Sequence, residues 1–149
     1  MTRPLQTWQG SCHCGAVHFE IETDFPELTT CDCSICRRKN ALMVKVHESR
    51  FRLLVGEGSL TEYRFHTRTA RHFFCSSCGI YPFHRKRVTP DFVGVNVFCL
   101  EGFDPADPSS HYRRVLLPVE TDGGPVLLAW AYAVEESSGV YLPGGIWPP

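Results

Sequence analysis

Alternation of apolar and polar residues runs through much of the chain. Val17, Phe19 and Ile21 are separated by polar residues, which is the period of a strand that buries one face. His18 is therefore expected to face water. The same pattern predicts further strands over residues 40–46, 51–55, 60–66 and 92–98.

A glycine-rich turn precedes the third of these later strands. Gly56 and Gly58 stand directly before the stretch 60–66 and permit the tight backbone turn that a hairpin needs. Within that stretch Tyr63 and Phe65 share one face, which we predict to be the inner face.

Residues 107–149 form a separate region with a pattern of its own. Two apolar stretches lie on either side of Gly123 and Gly124, which predicts a β-hairpin. The alternating apolar residues of the hairpin are Val115, Leu117, Val119, Val126, Leu128, Trp130 and Tyr132. Because a two-stranded hairpin is at best marginally stable alone, we expect it to lean on the sheet of its own chain or on a second copy, as a homodimer. We therefore divide the chain into a domain over residues 1–106 and a C-terminal β extension over residues 107–149.

The composition fits one small domain with an appendage. The chain has 149 residues, of which 43% are hydrophobic, and a formal net charge of −1, so nothing global favours nucleic acid or an anionic membrane as a partner. The basic run 85–87 is short and has no interleaved aromatic residues. We see no apolar signal segment and no run long enough to span a membrane, and we expect a reduced, cytoplasmic protein.

In a reduced compartment, clustered cysteines bind metal more often than they form disulfides. Seven of the eight cysteines form three clusters, namely Cys12 with Cys14, Cys31 with Cys33 and Cys36, and Cys75 with Cys78. Thiolates one or two residues apart can share one zinc ion at about 2.3 Å. Glycine follows directly after Cys14 and after Cys78, so the first and third clusters share one type of turn.

We therefore expect the first and third clusters to close one four-sulfur structural site. The cluster of Cys31, Cys33 and Cys36 is then left with three thiolates and one unfilled position, which is the arrangement of a chemically active zinc. The imidazole of His13 is an alternative ligand at the first site. The prediction is two zinc ions per chain.

Three cations follow the second cluster directly. Arg37, Arg38 and Lys39 would stabilise thiolates and an anionic ligand at the metal, which favours an acidic thiol as substrate. The alternative is a solvated charged turn that balances a negative metal–thiolate group.

Three further residues are candidates near these clusters. His72 and His84 are the histidines nearest to the third cluster in sequence, and either could fill the open position or act as an acid–base partner. Alone, such histidines are more often polar residues at the surface or behind the ligands. Cys99 is either a small buried hydrophobe or a redox partner of the second cluster.

Several stretches resemble the family of glutathione-dependent formaldehyde-activating enzymes, which also includes the centromere protein V domain. The matching stretches are residues 10–17, 31–40, 74–80, 83–85, 94–97 and 99–102. The resemblance implies a small all-β fold of the β-tent type, with a structural zinc and a second zinc on the substrate side. It also implies a carbon–sulfur lyase that forms or cleaves the S-hydroxymethyl adduct of glutathione and formaldehyde.

The residues by themselves support a thiol substrate that carries carboxylates, bound by Arg37, Arg38 and Arg85, with the ligands Cys31, Cys33 and Cys36 at the reacting centre. Two alternatives to the enzyme stay open. One is a zinc-stabilised binding or scaffold module without catalysis, and the other is a thiol redox or zinc sensor.

The C-terminal region is similar to the end of γ-glutamylcyclotransferase-like proteins. The similar residues are Glu-Gly at 101–102, Tyr-Arg-Arg at 112–114, Ala-Trp-Ala-Tyr at 129–132 and Gly-Ile-Trp at 145–147. Glu101 would stand at the acidic position of that family, but the Tyr-Gly-Ser loop that helps to bind its substrate is absent from this sequence. We therefore expect a structural appendage and not a second active site.

Overall fold

The structure is a computed structural model that describes residues 4–31 and 33–104, together with the backbone of two later strands. The described elements are β1 (Gln6–Ser11), β2 (His18–Thr23), β3 (Glu27–Thr29), α1 (Ser34–Lys39), β4 (Met43–His47), β5 (Phe51–Val55), β6 (Leu60–Tyr63), β7 (Arg71–Cys75), β8 (Phe83–Arg85), β9 (Phe92–Asn96), β10 (Tyr112–Val119) and β11 (Leu127–Val134). Short 3-10 turns cover Glu48–Arg50, Glu57–Ser59 and Val97–Cys99. The predicted all-β fold class is confirmed.

The strands form two antiparallel sheets. A small sheet has the order β1-β2-β5, and a large sheet has the order β10-β11-β3-β4-β9-β8-β7-β6. Phe19 of the small sheet meets Phe83 of the large sheet edge to face, with 5.6 Å between ring centroids. Phe51 of β5 approaches the same Phe83 at 4.6 Å. This aromatic contact is the centre of the core between the sheets.

The alternation in β2 is confirmed. Phe19 and Ile21 have no exposed surface, and Glu22 between buried neighbours is exposed. His18 is only half-buried, as expected for the opposite face. Since the period of a strand is two, one well-placed run of apolar residues determines which face of the strand is buried.

The prediction for residues 60–66 is wrong in two respects. The strand β6 ends at Tyr63, and the side chain of Tyr63 is 51% exposed. Tyr63 stacks on Phe65 with 5.9 Å between ring centroids, so the two rings cover each other outside the core. The physical reason is that β6 is the edge strand of the large sheet, and the chain then turns through a left-handed residue, His66, at φ 50°.

Several elements carry no readable alternation and were not predicted. The strands β3 and β8 have three residues each, and α1 has six, which is too short for a helical period to appear. The strand β1 is mostly polar because it lies at the edge of the small sheet. Its position depends on Trp8, which packs edge to face on Phe25 at 5.0 Å.

The two C-terminal strands form the predicted hairpin. β10 pairs with β11 in antiparallel register, and β11 continues the large sheet by pairing with β3, with Tyr132 opposite Leu28. The hairpin therefore attaches by backbone hydrogen bonds to an edge of the sheet in its own chain. Its side chains and the rest of residues 107–149 lie outside the described residues, so the division into two regions, the apolar packing and the homodimer stay predictions.

We expect truncation after Ala106 to reduce solubility or change the oligomeric state while the zinc content stays unchanged. The reason is that β3 would lose the partner strand along one edge, and an unpaired edge invites association with other chains. Light scattering and metal analysis of the two proteins test this. A truncated protein with the solubility and the number of chains per particle of the full-length protein would contradict the prediction.

We expect Gly56→Ala to destabilise the protein by at least about 2 kcal/mol, because a side chain at this position is both strained and obstructed. Gly56 has φ +95°, and an added Cβ would lie 2.1 Å from the carbonyl oxygen of Ala16. Gly58→Ala is the matched control, since nothing lies within 4 Å of an added Cβ there. Urea unfolding of both variants measures the difference, and equal stabilities would show that the contact between this turn and residue 16 is unimportant.

Candidate metal centres

The first and third cysteine clusters meet at one point between the two sheets. Cys12 directly follows β1 of the small sheet, and Cys75 is the last residue of β7 of the large sheet. Both side chains are buried and pack together with Val17. A metal ion at this point would therefore connect the two sheets.

Two turns that each end in a glycine position the four sulfur atoms, one closed by a hydrogen bond between residues three apart and the other between residues four apart. In the first, the amide of Gly15 donates to the carbonyl of Cys12 at 3.4 Å, and in the second the amide of Gly79 donates to that of Cys75 at 2.8 Å. Gly15 has φ 79° and Gly79 has φ 75°, a left-handed conformation that glycine adopts without strain. Each turn brings the sulfur of its second cysteine back beside the first.

The distances between these sulfur atoms suit one tetrahedral metal ion. The Sγ atoms of Cys12 and Cys14 are 3.6 Å apart, and those of Cys14 and Cys75 are 3.7 Å apart. A tetrahedron of sulfurs at about 2.3 Å from zinc has edges of about 3.8 Å, whereas a disulfide bond measures about 2.05 Å. All four ligand atoms, Cys78 included, lie within 4.8 Å of one another. The donor set therefore fits a structural zinc site.

Backbone amides around this site favour thiolates over thiols. The amide of Val17 donates to Cys12 Sγ at 3.3 Å. Hydrogen bonds from the amides of Ile80 and Cys14 lower the pKa of Cys78 to about 6. Thiolate is the form that binds zinc, so these amides prepare the ligands for the metal. His13 is exposed, and the group of four sulfurs is complete without it.

The second cluster is more open. Cys31 and Cys33 are exposed, whereas Cys36 is buried on the inner face of α1. Their sulfur atoms also lie within 4.8 Å of one another. A hydrogen bond with Cys31, then burial, and then repulsion by the charges of Cys31 and Cys33 raise the pKa of Cys36. A bound cation removes that repulsion, so the donor set fits zinc with three protein thiolates.

Neither His72 nor His84 joins the second cluster. Among the described residues, which leave out Asp32, the metal-binding group contains the three cysteines alone. The two imidazoles lie on neighbouring strands, β7 and β8, and stack with 5.1 Å between their centroids. They are 5% and 6% exposed, so the reading of either as a surface residue is wrong.

The polar group around these histidines cannot be predicted from the sequence alone. Lys39 Nζ lies 2.8 Å from His72 Nδ1 and 3.6 Å from the centre of the Tyr81 ring. Tyr81 in turn bonds His84 Nδ1 through its hydroxyl group. No local signal marks this group, since its members come from α1, β7, the segment before β8 and β8 itself. The contacts of Lys39 with His72 and Tyr81 can be seen only in the folded chain.

The helix separates the three cations after Cys36. With 3.6 residues per turn, Lys39 lies on the same side as Cys36 and is half-buried, while Arg37 and Arg38 are exposed. Arg38 Nη1 donates to the carbonyl of Ser34 in its own helix at 2.6 Å. The three side chains therefore do not act as one group.

Arg85 is placed elsewhere than expected. Its guanidinium donates to Glu48 at 2.5 Å, and Glu48 directly follows β4 at the end opposite to Met43. The hydroxyl oxygen of Tyr81, by contrast, lies 3.4 Å from the sulfur of Met43. The predicted role of Arg85 in binding substrate stays a prediction.

Cys99 lies next to this region without joining the thiol cluster. Its sulfur is 3.7 Å from the carbonyl oxygen of Tyr81, and it packs against the main core. Burial raises the pKa of Cys99 to about 12, so the thiol is neutral at pH 7 and behaves as a small apolar side chain.

Glu101 is exposed, and its amide donates to the carbonyl of Gln9 at 2.9 Å.

Comparison with known proteins identifies the family. The family model of the glutathione-dependent formaldehyde-activating enzymes matches residues 7–114. A crystal structure of a Rhodobacter sphaeroides protein superposes with a TM-score of 0.64 at 47% sequence identity, over 68% of this chain and 94% of that chain. The chain belongs to the family of glutathione-dependent formaldehyde-activating enzymes. Within the part that the structure describes, no helix has the length and hydropathy that a membrane span requires.

We expect Cys75→Ser to abolish folding into soluble protein and Cys36→Ser to lower only the zinc content. Cys75 is fully buried at the contact of the two sheets, and structural zinc contributes on the order of 10 kcal/mol to folding. Cys36 lies in a short helix. Loss of the metal from its site would leave both sheets connected through the first site. Soluble yield, circular dichroism and zinc per chain distinguish the two. If both variants behave alike, the separation into a structural and a second site is wrong.

Proposed function

We propose that this protein is a zinc-dependent carbon–sulfur lyase that joins a thiol such as glutathione to a small aldehyde such as formaldehyde and also runs the reverse reaction. The observation that carries the proposal is the contrast between the two thiol clusters. The first has four ligands gathered around buried Cys12 and Cys75. The second has three thiols, of which Cys31 and Cys33 face solvent, so a substrate can reach it.

The two clusters would hold two zinc ions with different roles. Cys12, Cys14, Cys75 and Cys78 would bind the structural ion, and Cys31, Cys33 and Cys36 would bind the second. Zinc at the second site would lower the pKa of a substrate thiol that completes its coordination and would hold that thiol as the nucleophilic thiolate. The protein would supply the three ligands from a short helix and the loop before it, and two of the three belong to exposed residues.

Arg37 and Arg38 would bind the carboxylates of the substrate. Both are exposed on the helix that carries Cys36, within reach of a ligand whose sulfur lies at the second cluster. Guanidinium groups suit carboxylates because they offer paired donors in a fixed plane. Arg85 has no part in this proposal, since its guanidinium is paired with Glu48.

The test is zinc content and activity together. We expect two zinc ions per chain, and faster interconversion of free and hydroxymethylated glutathione than in buffer, measured by exchange NMR at equilibrium. Equilibrium exchange is the proper measure because thiols add to formaldehyde without a catalyst. Two zinc ions with no acceleration and no glutathione binding would support the alternative of a zinc-stabilised binding module.

We expect replacement of Arg37 and Arg38 by Ala to weaken glutathione binding about tenfold or more, while binding of a small neutral thiol stays unchanged, because only glutathione loses charge-assisted hydrogen bonds. Replacement of the exposed Arg50 and Arg87 by Ala is a control of equal charge. Calorimetric titration of the zinc-loaded proteins measures both thiols. Equal weakening for the two thiols would point to lost metal and would contradict the assigned role.

A further inference from the structure

A half-buried lysine stands beside the second cluster and has no role in the function described so far. Lys39 lies one helical turn after Cys36, on the same side of α1. Its charge and those of Cys36, Cys33 and Cys31 influence one another. Among the described residues, none of the ion pairs involves Lys39. A half-buried cation that has no carboxylate partner among the described residues, which leave out Asp32, is unfavourable unless other groups compensate its charge. Such groups are concentrated at functional sites.

Two contacts hold the ammonium group in one place. Nζ lies 2.8 Å from His72 Nδ1 and 3.6 Å from the centre of the Tyr81 ring. An ammonium group only donates hydrogen bonds, so His72 must accept with an unprotonated Nδ1. Burial and then the charge of Lys39 lower the pKa of His72 to about 4, which keeps the ring neutral and able to accept at pH 7.

Further contacts fix the positions of these two partners. His72 stacks on His84 with an angle of 16° between the rings, and the hydroxyl of Tyr81 bonds both His84 and the carbonyl oxygen of Gly94. A Cβ at Gly94 would lie 2.5 Å from the imidazole of His84, so only glycine leaves room for this arrangement. Lys39 is therefore aimed by a layer of side chains from three elements.

We propose that Lys39 is the catalytic acid–base residue of the site formed by Cys31, Cys33 and Cys36. The inference rests on the proposed function. The neutral amine of Lys39 takes the proton of the substrate thiol as its sulfur becomes a thiolate. When the sulfur lone pair forms the bond to the aldehyde carbon, the π electrons of the carbonyl group move to oxygen, and the ammonium of Lys39 gives the proton to that oxygen.

The reverse reaction uses the same group. The amine of Lys39 removes the hydroxyl proton of the adduct, the carbonyl group reforms, and the pair of the carbon–sulfur bond returns to sulfur. Atoms and charges balance without an oxidant, a reductant or another reactant. Burial lowers the pKa of Lys39 to about 8, against the opposing effect of the nearby thiolates, and a pKa near the working pH suits both directions of transfer. His72 and Tyr81 are positioning residues, since they act through Lys39.

The experiment compares Lys39→Met, Lys39→Arg and the control Lys45→Met in the zinc-loaded protein. Lys45 is exposed and lies over the ring of Phe92. We expect both Lys39 variants to lower kcat for glutathione–formaldehyde exchange by roughly 10²-fold or more, the usual contribution of a general acid–base group. Zinc per chain and glutathione affinity should stay unchanged, and Lys45→Met should match the wild type. Arginine keeps the positive charge but does not release its proton, so it separates proton transfer from simple charge attraction.

His72 provides a second, independent measurement. His72→Phe should lower kcat without changing KM for glutathione, while His72→Asn, which retains an acceptor, should recover part of the loss. Full activity in Lys39→Met or in Lys39→Arg would overturn the proposal. If Lys39→Met does not fold, the Arg variant decides. A wild type with two zinc ions but no rate above buffer would overturn the proposed function and this inference with it, whereas an active wild type with fully active Lys39 variants would overturn the inference alone.

Discussion

The closeness of four sulfur atoms between the two sheets is the constraint on which the rest of the structure depends. Cys12 leaves the small sheet and Cys75 ends a strand of the large one, and their sulfurs both lie beside that of Cys14. Four thiolates at this distance repel one another unless a cation lies between them. A metal ion held by these four residues would therefore couple its own binding to the folding of the two sheets, as in other small metal-stabilised domains.

The second cluster differs from the first because its cysteines do not come from two sheets. Its ligands come from one short segment around α1, so it contributes little to holding the sheets together and two of its sulfurs can face solvent. Specific side-chain contacts lie beside this cluster, in a layer formed by Lys39, His72, Tyr81 and His84. Burial of these polar groups is unfavourable unless each finds a partner, and the partners determine where the one cation of the layer lies. We thus propose that the four-cysteine site stabilises the fold and that the site of Cys31, Cys33 and Cys36 carries the reaction.

The C-terminal hairpin extends the large sheet on the side of β3, the strand that directly precedes the second cluster. Because β3 has only three residues, pairing on both of its edges helps to keep it in the sheet. Hydrogen bonds along that edge need no particular side chains, so a region with a different sequence pattern can join the sheet of the family domain.

The sequence by itself determined the ligand groups and the buried face of β2. Cysteines one or two residues apart, and apolar residues two apart, are local patterns whose geometry is fixed by the backbone. The tertiary structure alone decided the division of the cations after Cys36, the pairing of Arg85 with Glu48, and the exposure of Tyr63 on an edge strand. It alone brought Lys39 to His72, thirty-three positions along the chain. Contacts between distant segments depend on how the sheets are ordered, and no local period in the sequence encodes that order.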